Sequence, residues 1–403
     1  MEPTHIEGYM SVVQNSISRS SDSKILSLHT PKMKRVGNLY EKIYDIENLR
    51  KAHKNAKKGK GWYKEVKMVD ENLDEYLLKI QEMLNNHTYK TSEYEIFYKK
   101  EGNKIRKIYK LPYYPDRIVQ WAIIQVIEPY LIRHFIDDTY SAIPGRGMHK
   151  GLNRLRSALY NDPENCQYCL KLDFRHYYQS INHDLLKQKY RRLFKDEDLL
   201  RTLDEIIDSV NTADEEDLFE TYIVLLEEDI DPETGEPIGN YLSQYSGNLY
   251  LSDFDHWIKE QKHIKYYYRY MDDIVILART KEELHQLLQD IILYAKNKMK
   301  MRIKDNYQIF PTFVRGIDFL GYRNFKDYSL LRKSTCNKMK NKLISIKNKI
   351  NNGIEINYSE WCSVNSYWGH LKHCDSKRLY NKYFMPLKPH LDNYYNTHIK
   401  KSE

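Results

Sequence analysis

The 403-residue chain is long enough for two or three domains, and its 41% hydrophobic and 30% charged residues describe a globular protein with a sizeable core. No run approaches 18 uninterrupted apolar residues, which argues against a membrane span, and the N-terminus lacks the positive start and apolar block of a signal peptide. The expected location is therefore cytoplasmic, with no membrane partner.

The net charge of +8 is mild but unevenly spread, and the chain holds 36 tyrosines. Basic clusters interleaved with aromatic rings suit nucleic acid, because cations bind phosphates and rings stack on bases. A tyrosine-rich core is the plainer alternative. Among five cysteines, only Cys166 and Cys169 have metal-like spacing, and no second pair accompanies them. Ordinary strand cysteines are the better reading.

In chain order, residues 1–36 are Ser-rich and weakly periodic and read as a mobile leader. Residues 37–66 look helical and end in the basic run "KAHKNAKKGKGWYKEVK", either a solvated lysine face or a phosphate-contacting surface. Over 71–87, Leu73, Tyr76, Leu77, Ile80 and Met83 recur at helical spacing. "YEIFYKK" and "KIRKIYKLP", joined by "EGNK", read as a hairpin. A buried helix ("DRIVQWAIIQVIEPYLIRHF") and a Gly-rich loop entering another helix follow. "YCLKLDFRHYY" reads as a strand and "HDLLKQKYRRLF" as a helix. Residues 195–236 are markedly acidic and look like a solvated insertion ending in a Pro/Gly turn. "SQYSGNLYLSDFDHWIKE" predicts a helix, "KYYYRYMDDIVIL" a hairpin, 281–300 a helix, and "FLGY" a short strand pair. The tail from about Leu331 is helical and basic at its start.

The chemistry concentrates in the acids. In "YYYRYMDD", Tyr266, Tyr268 and Tyr270 share one strand face, and Asp272 continues that parity up to the turn. Asp173 stands at the end of another apolar strand. If the strands are neighbours, Asp173 and Asp272 converge, and carboxylates gathered at one point need a cation. Mg2+ fits, being hard, octahedral and commonly shared between a few carboxylates and substrate phosphates. Two such ions serve in-line nucleotidyl transfer.

Tyr270-Met271-Asp272-Asp273 resembles the YxDD box of reverse transcriptases. "LKLDFRHYYQSINHDLL" resembles the first catalytic motif of bacterial reverse transcriptases of the group II intron lineage. "GEPIGNYLSQYSGNLYLSDFD", "KIRKIYKLPYYPDRIVQWAI" and "FLGY" resemble the middle, fingers and primer-grip motifs, in family order over roughly 85–375. The resemblance implies an α+β right-hand polymerase: an antiparallel palm sheet backed by helices, and a helical thumb. It divides the chain into a leader (1–36), N-terminal extension and fingers (37–160), palm with the acidic insertion (161–325), and thumb with tail (326–403). It implies two Mg2+ ions, with Mn2+ as a substitute. Asp173 and Asp272 would ligate both, Asp273 would assist, and Phe174 would lend a backbone carbonyl. Tyr178 falls at the steric-gate position that favours deoxynucleotides. Arg106 and one of Lys99 or Lys104 would hold the triphosphate, beside Ile238, Gly239 and Gln244. Phe319, Leu320, Gly321 and Tyr322 would form the primer grip. Implied partners are an RNA template, a DNA or RNA primer, dNTPs, a noncoding RNA and an accessory protein.

Two departures narrow the resemblance. Where most of the family has glutamine before the glycine of the middle motif, this chain has Ile238, in an "IGN..SQ" form similar to diversity-generating retroelement and related defence-associated enzymes. An aliphatic group there predicts reduced fidelity. Near "MRIKDNYQIF", Tyr307 or Gln308 occupies the place of a family lysine, with Lys304 nearby, and that role stays unassigned. Trp368, His370 and His373 suit core packing or duplex contact better than metal. Two other functions compete: a nucleic-acid-binding module without polymerase activity, and template-independent or protein-primed synthesis on a tyrosine hydroxyl.

Overall fold

The computed structural model describes residues 34–101, 104–209, 234–235 and 240–400, without the side chains of 101 and 104–106. Four helices open it: α1 (Tyr40–Tyr44), α2 (Ile46–Ala56), α3 (Lys64–Glu71) and α4 (Leu73–Asn85). The last keeps the expected stripe, with Leu77, Ile80 and Leu84 buried. The hairpin follows as β1 (Glu95–Glu101) and β2 (Lys104–Lys110), paired from Glu95–Lys110 to Glu101–Lys104. Next come α5 (Ile118–His134), buried along most of its length, and α6 (Met148–Asn161).

The centre is a four-stranded antiparallel sheet in the order β4-β5-β3-β6, built from β3 (Tyr168–Leu172), β4 (Tyr266–Tyr270), β5 (Asp273–Ala278) and β6 (Gln308–Pro311). Its strands alternate between two hydrophobic clusters, as side chains on a pleated ribbon must. Leu170, Leu172, Tyr267, Ile274 and Ile276 enter one cluster. Cys169, Tyr268, Val275 and Leu277 enter the other. Helices α7 (His183–Leu193), α8 (Glu197–Asp208), α9 (Tyr241–His256) and α10 (Lys281–Met299) belong to the first side. α6 covers the second with Leu152 and Leu155. A smaller sheet, β7 (Ile317–Phe319), β8 (Tyr322–Asn324) and β9 (Ser329–Leu331), leads into α11 (Lys333–Asn351), α12 (Tyr358–Leu371) and α13 (Lys388–Tyr394). Mixed helices and antiparallel sheets make the class α+β, as expected. Among the described residues, no helix is long and apolar enough to cross a membrane.

Two expectations change. The leader's last residues are packed: Val36 bridges Phe194, its amide donating to the Leu193 carbonyl at 2.9 Å. The remainder, 1–33, lies outside the described residues. The acidic stretch is not a solvated insertion throughout. Helix α8 buries Leu199, Leu200, Leu203, Ile206 and Ile207, and Asp196 accepts from the amides of Leu39 (2.6 Å) and Tyr40 (3.0 Å). The acids there sit on a helix with an apolar stripe, which net charge over a window conceals. Residues 210–233 lie outside the described residues.

Many tyrosines are core residues with satisfied hydroxyls. Tyr40 donates to the Leu84 carbonyl at 2.9 Å, Tyr177 to the Gly247 carbonyl at 2.6 Å and Tyr250 to the Met299 carbonyl at 2.6 Å. Cys166 and Cys169 are buried in the second cluster, and burial pushes the Cys166 thiol up to about 12.

Candidate active site

Strand register brings the acids together. Leu172 of β3 pairs with Ile274 of β5, so one step further Asp173 stands across from Asp273. Tyr270 pairs with Asp273, leaving Met271 and Asp272 as a two-residue loop between β4 and β5. All three carboxylates therefore meet at one end of the sheet. Burial raises the Asp272 carboxyl first, and a hydrogen bond to Asp173 and the Asp173 charge raise it further, to about 7. Burial also raises Asp273, with the Lys171 ammonium pulling the other way.

Two lysines neutralise the cluster. Lys304 Nζ makes an ion pair with Asp173 Oδ2, and the Lys304 amide donates to the Asp173 carbonyl at 2.9 Å. Lys171 Nζ lies 3.2 Å from Asp273 Oδ1 and also donates to the Asp318 carbonyl. Sequence reasoning named Lys304 without a role and missed Lys171. Its signal was parity: Lys171 lies on the opposite strand face from Leu170 and Leu172, toward Asp273.

The donor set fits a divalent ion. Asp173 Oδ1 is buried with no hydrogen-bond partner, a costly state that a cation would relieve, whereas Asp273 Oδ1 already has the Lys171 ammonium 3.2 Å away. Among the described residues, no three His, Cys, Asp or Glu side chains form a ready-made metal cage.

The other candidates surround this end to different degrees. Tyr178 is half-buried beside Tyr177, and its hydroxyl reaches Met271 Sδ at 3.6 Å, so the ring borders the carboxylate loop. The Phe174 ring is buried against Phe254, and its backbone bridges Ile303. Gln244 is exposed on the first turn of α9. Lys99 is exposed on β1, opposite Arg106 in the register. The side chains of Lys104 and Arg106, and all of Ile238 and Gly239, lie outside the described residues.

The "FLGY" pair is a tight hairpin. Phe319 pairs with Tyr322, and Leu320 (φ +52°) and Gly321 (φ +87°) are both left-handed, as a two-residue type I′ loop requires. Phe319 and Tyr322 are buried, and the Tyr322 hydroxyl donates to the His370 carbonyl at 3.0 Å. This ties the hairpin to α12. Trp368 packs on Tyr380 (4.6 Å) and Phe384 (5.1 Å), and His373 stacks on His149 (3.7 Å).

The chain is 22% identical to Protein YkfC of Escherichia coli (strain K12) over 275 residues, covering 60% of this chain and 69% of that protein. Solved structures similar to it include telomerase from Candida albicans in complex with a fragment of telomeric RNA (TM-score 0.44, 11% identity, 65% of this chain and 52% of that one). Apo telomerase from Candida tropicalis is another (TM-score 0.46, 12% identity, 68% and 53%). The chain thus spans about half the length of these telomerase chains. The family model for reverse transcriptase (RNA-dependent DNA polymerase) matches residues 98–323, more than half of the chain and the segment that carries the hairpin, all three carboxylates and the "FLGY" turn. The chain belongs to the reverse transcriptase family, and is accordingly a nucleotidyltransferase.

Proposed function

We propose that this protein is an RNA-directed DNA polymerase that extends a primer 3′ end with dNTPs on an RNA template. The observation that carries this reading is the meeting of Asp173, Asp272 and Asp273 at one end of the central sheet, where a buried Asp173 oxygen has no hydrogen-bond partner. When bound, a pair of Mg2+ ions supplies the charge that lowers the pKa of the attacking 3′ hydroxyl and steadies the leaving pyrophosphate. Asp173 and Asp272 would hold both ions. Asp273 assists from the partly neutralised position that Lys171 gives it. The Phe174 carbonyl is the remaining protein donor in this reading. Tyr178 faces the sugar and excludes a 2′-hydroxyl. Arg106 and one of Lys99 or Lys104 on the hairpin bind the triphosphate, and the Phe319–Tyr322 turn seats the primer terminus.

The biological setting we infer is a diversity-generating retroelement or a phage-defence system, with a noncoding RNA and an accessory protein as partners. The "IGN..SQ" form of the middle motif supports both. A template repeat beside a variable-protein gene would select the first, and a structured RNA in a defence island the second. The test of the activity is primer extension on RNA with Mg2+. Incorporation that survives Asp272→Asn combined with Asp273→Asn would remove the assignment, and product retained on the protein through phenol extraction would redirect it to protein priming.

A further inference from the structure

Arg269 carries a full charge at a position with no solvent exposure. It sits on β4, two residues before the carboxylate loop, on the same strand face as Tyr267. Its Nε and Nη2 donate to Asp255 Oδ1 (2.7 Å) and Oδ2 (2.6 Å) in a fork. The Tyr267 hydroxyl donates to the same Asp255 Oδ1 at 2.5 Å. The third donor, Nη1, reaches two acceptors: Asn248 Oδ1 at 3.1 Å and the backbone carbonyl of Met271 at 3.0 Å. Asn248 is itself held by donating to the Ser141 carbonyl at 2.8 Å. The Arg269 amide donates to the Asp138 carbonyl at 3.0 Å, and its carbonyl accepts from the Tyr140 amide at 3.0 Å. Helix α9, the 138–141 segment and β4 thus converge on one guanidinium.

A buried ion pair of this kind contributes little net stability compared with apolar residues of the same volume. Its geometry points to a different task. Met271 has φ +53°, the left-handed conformation that the two-residue loop between β4 and β5 calls for and that a long side chain adopts at a cost. The carbonyl that Arg269 grips belongs to the Met271–Asp272 peptide. Fixing that oxygen fixes the peptide plane, and the plane sets the direction in which the Asp272 side chain leaves the backbone.

We infer that Arg269 is the positioning residue of the carboxylate loop: braced by Asp255 and Asn248, it locks the Met271–Asp272 peptide so that Asp272 faces Asp173. This rests on the reading of Asp173 and Asp272 as the metal pair. Lysine cannot substitute, because a single ammonium lacks the planar fork that grips Asp255 while a third donor reaches Met271.

Two variants test this in the full chain: Arg269→Lys, and the apolar pair Arg269→Met with Asp255→Leu, which leaves no buried charge unpaired. Each is compared with wild type for Mn2+ binding by EPR titration, template–primer affinity, and single-turnover extension. The expected result is Mn2+ affinity and extension rate both down by about 10–100-fold, with template–primer affinity within about threefold of wild type. If Arg269→Lys does not fold, the apolar pair decides the matter alone. Wild-type Mn2+ affinity and wild-type extension rate in a folded variant would overturn the inference. A wild-type protein that binds Mn2+ but extends no primer would remove the polymerase reading only, since the Mn2+ titration still judges Arg269. A wild-type protein that binds no Mn2+ would remove both.

Discussion

Asp272 meets Asp173 at one end of the central sheet, where burial, and then the neighbouring Asp173, raise the Asp272 carboxyl. Asp272 therefore keeps a proton to unusually high pH, and that state has measurable consequences. The Asp272 carboxyl is raised to about 7 against an ordinary value of 3.8, so the folded chain binds this proton more tightly than the unfolded one. Its contribution to stability is full below about pH 4 and is lost as pH rises through 7. In EDTA, melting temperature should fall between pH 5 and 8 by about 2–4 °C on account of this group. Added Mg2+ should restore it at pH 8 and have little effect at pH 5. Asp272→Asn should abolish both responses; a melting curve indifferent to Mg2+ at pH 8 would contradict the raised Asp272 carboxyl.

Removal of single carboxylates should rank them. Asp173→Asn and Asp272→Asn should each lower single-turnover extension by about 10³-fold, the loss typical of a missing charge-stabilising group, with template–primer binding retained. In the proposed reading Asp273 only assists the other two acids, so Asp273→Asn should cost less, about 10–10²-fold. Equal losses at all three positions would show that Asp273 is a full member of the set.

Tyr178 borders the loop through its 3.6 Å contact with Met271 Sδ. Tyr178→Ala should raise ribonucleotide incorporation relative to deoxynucleotide by about tenfold or more while leaving dNTP addition within about threefold. Competition between rNTP and dNTP in one extension reaction reads this ratio directly.

Ile238 offers no hydrogen bond to nucleotide or template, so discrimination should improve when one is supplied. Ile238→Gln is expected to lower misincorporation by about tenfold, the worth of about 1.4 kcal/mol. Sequencing of long extension products from both proteins measures it, and an unchanged error spectrum would detach fidelity from this position.

His134 gives a second pH response. Burial and the neighbouring His256 lower it to about 4 from an ordinary 6.5. The unfolded chain therefore binds this proton more readily, and stability is lost as pH falls from about 6.5 toward 4, by about 3 kcal/mol in all. His134→Gln should flatten that limb of the stability curve, as urea unfolding at pH 7 and pH 5 would reveal.

Much of this architecture is legible in the residues. The alternation Tyr266, Tyr268, Tyr270 against Tyr267 and Arg269 assigns the two faces of β4, and the apolar runs of β3 and β5 are those of strands covered on both sides. The convergence of Asp173 with Asp272 could be anticipated because both stand where an apolar strand ends. The lysines and Arg269 were harder to assign, since a charged residue inside a strand declares its partner only when register is known. Helix α8 was misjudged for a related reason: counting acids over 195–236 hides the spacing of Leu199, Leu203 and Ile206.

Lys171 spans from Asp273 to the Asp318 carbonyl, and Asp318 in turn takes Arg332 at the start of α11, Nη2 to Oδ1, at 2.5 Å. A chain of polar contacts therefore runs from the carboxylate end of the central sheet, through the backbone and side chain of Asp318, into the neighbouring three-stranded sheet and the first long helix beyond it. An outward swing of the "FLGY" hairpin, flanked by Asp318 and Arg332, would draw the Asp318 carbonyl off the Lys171 ammonium. Movement of that turn would thereby alter the electric field felt by the Asp273 carboxylate.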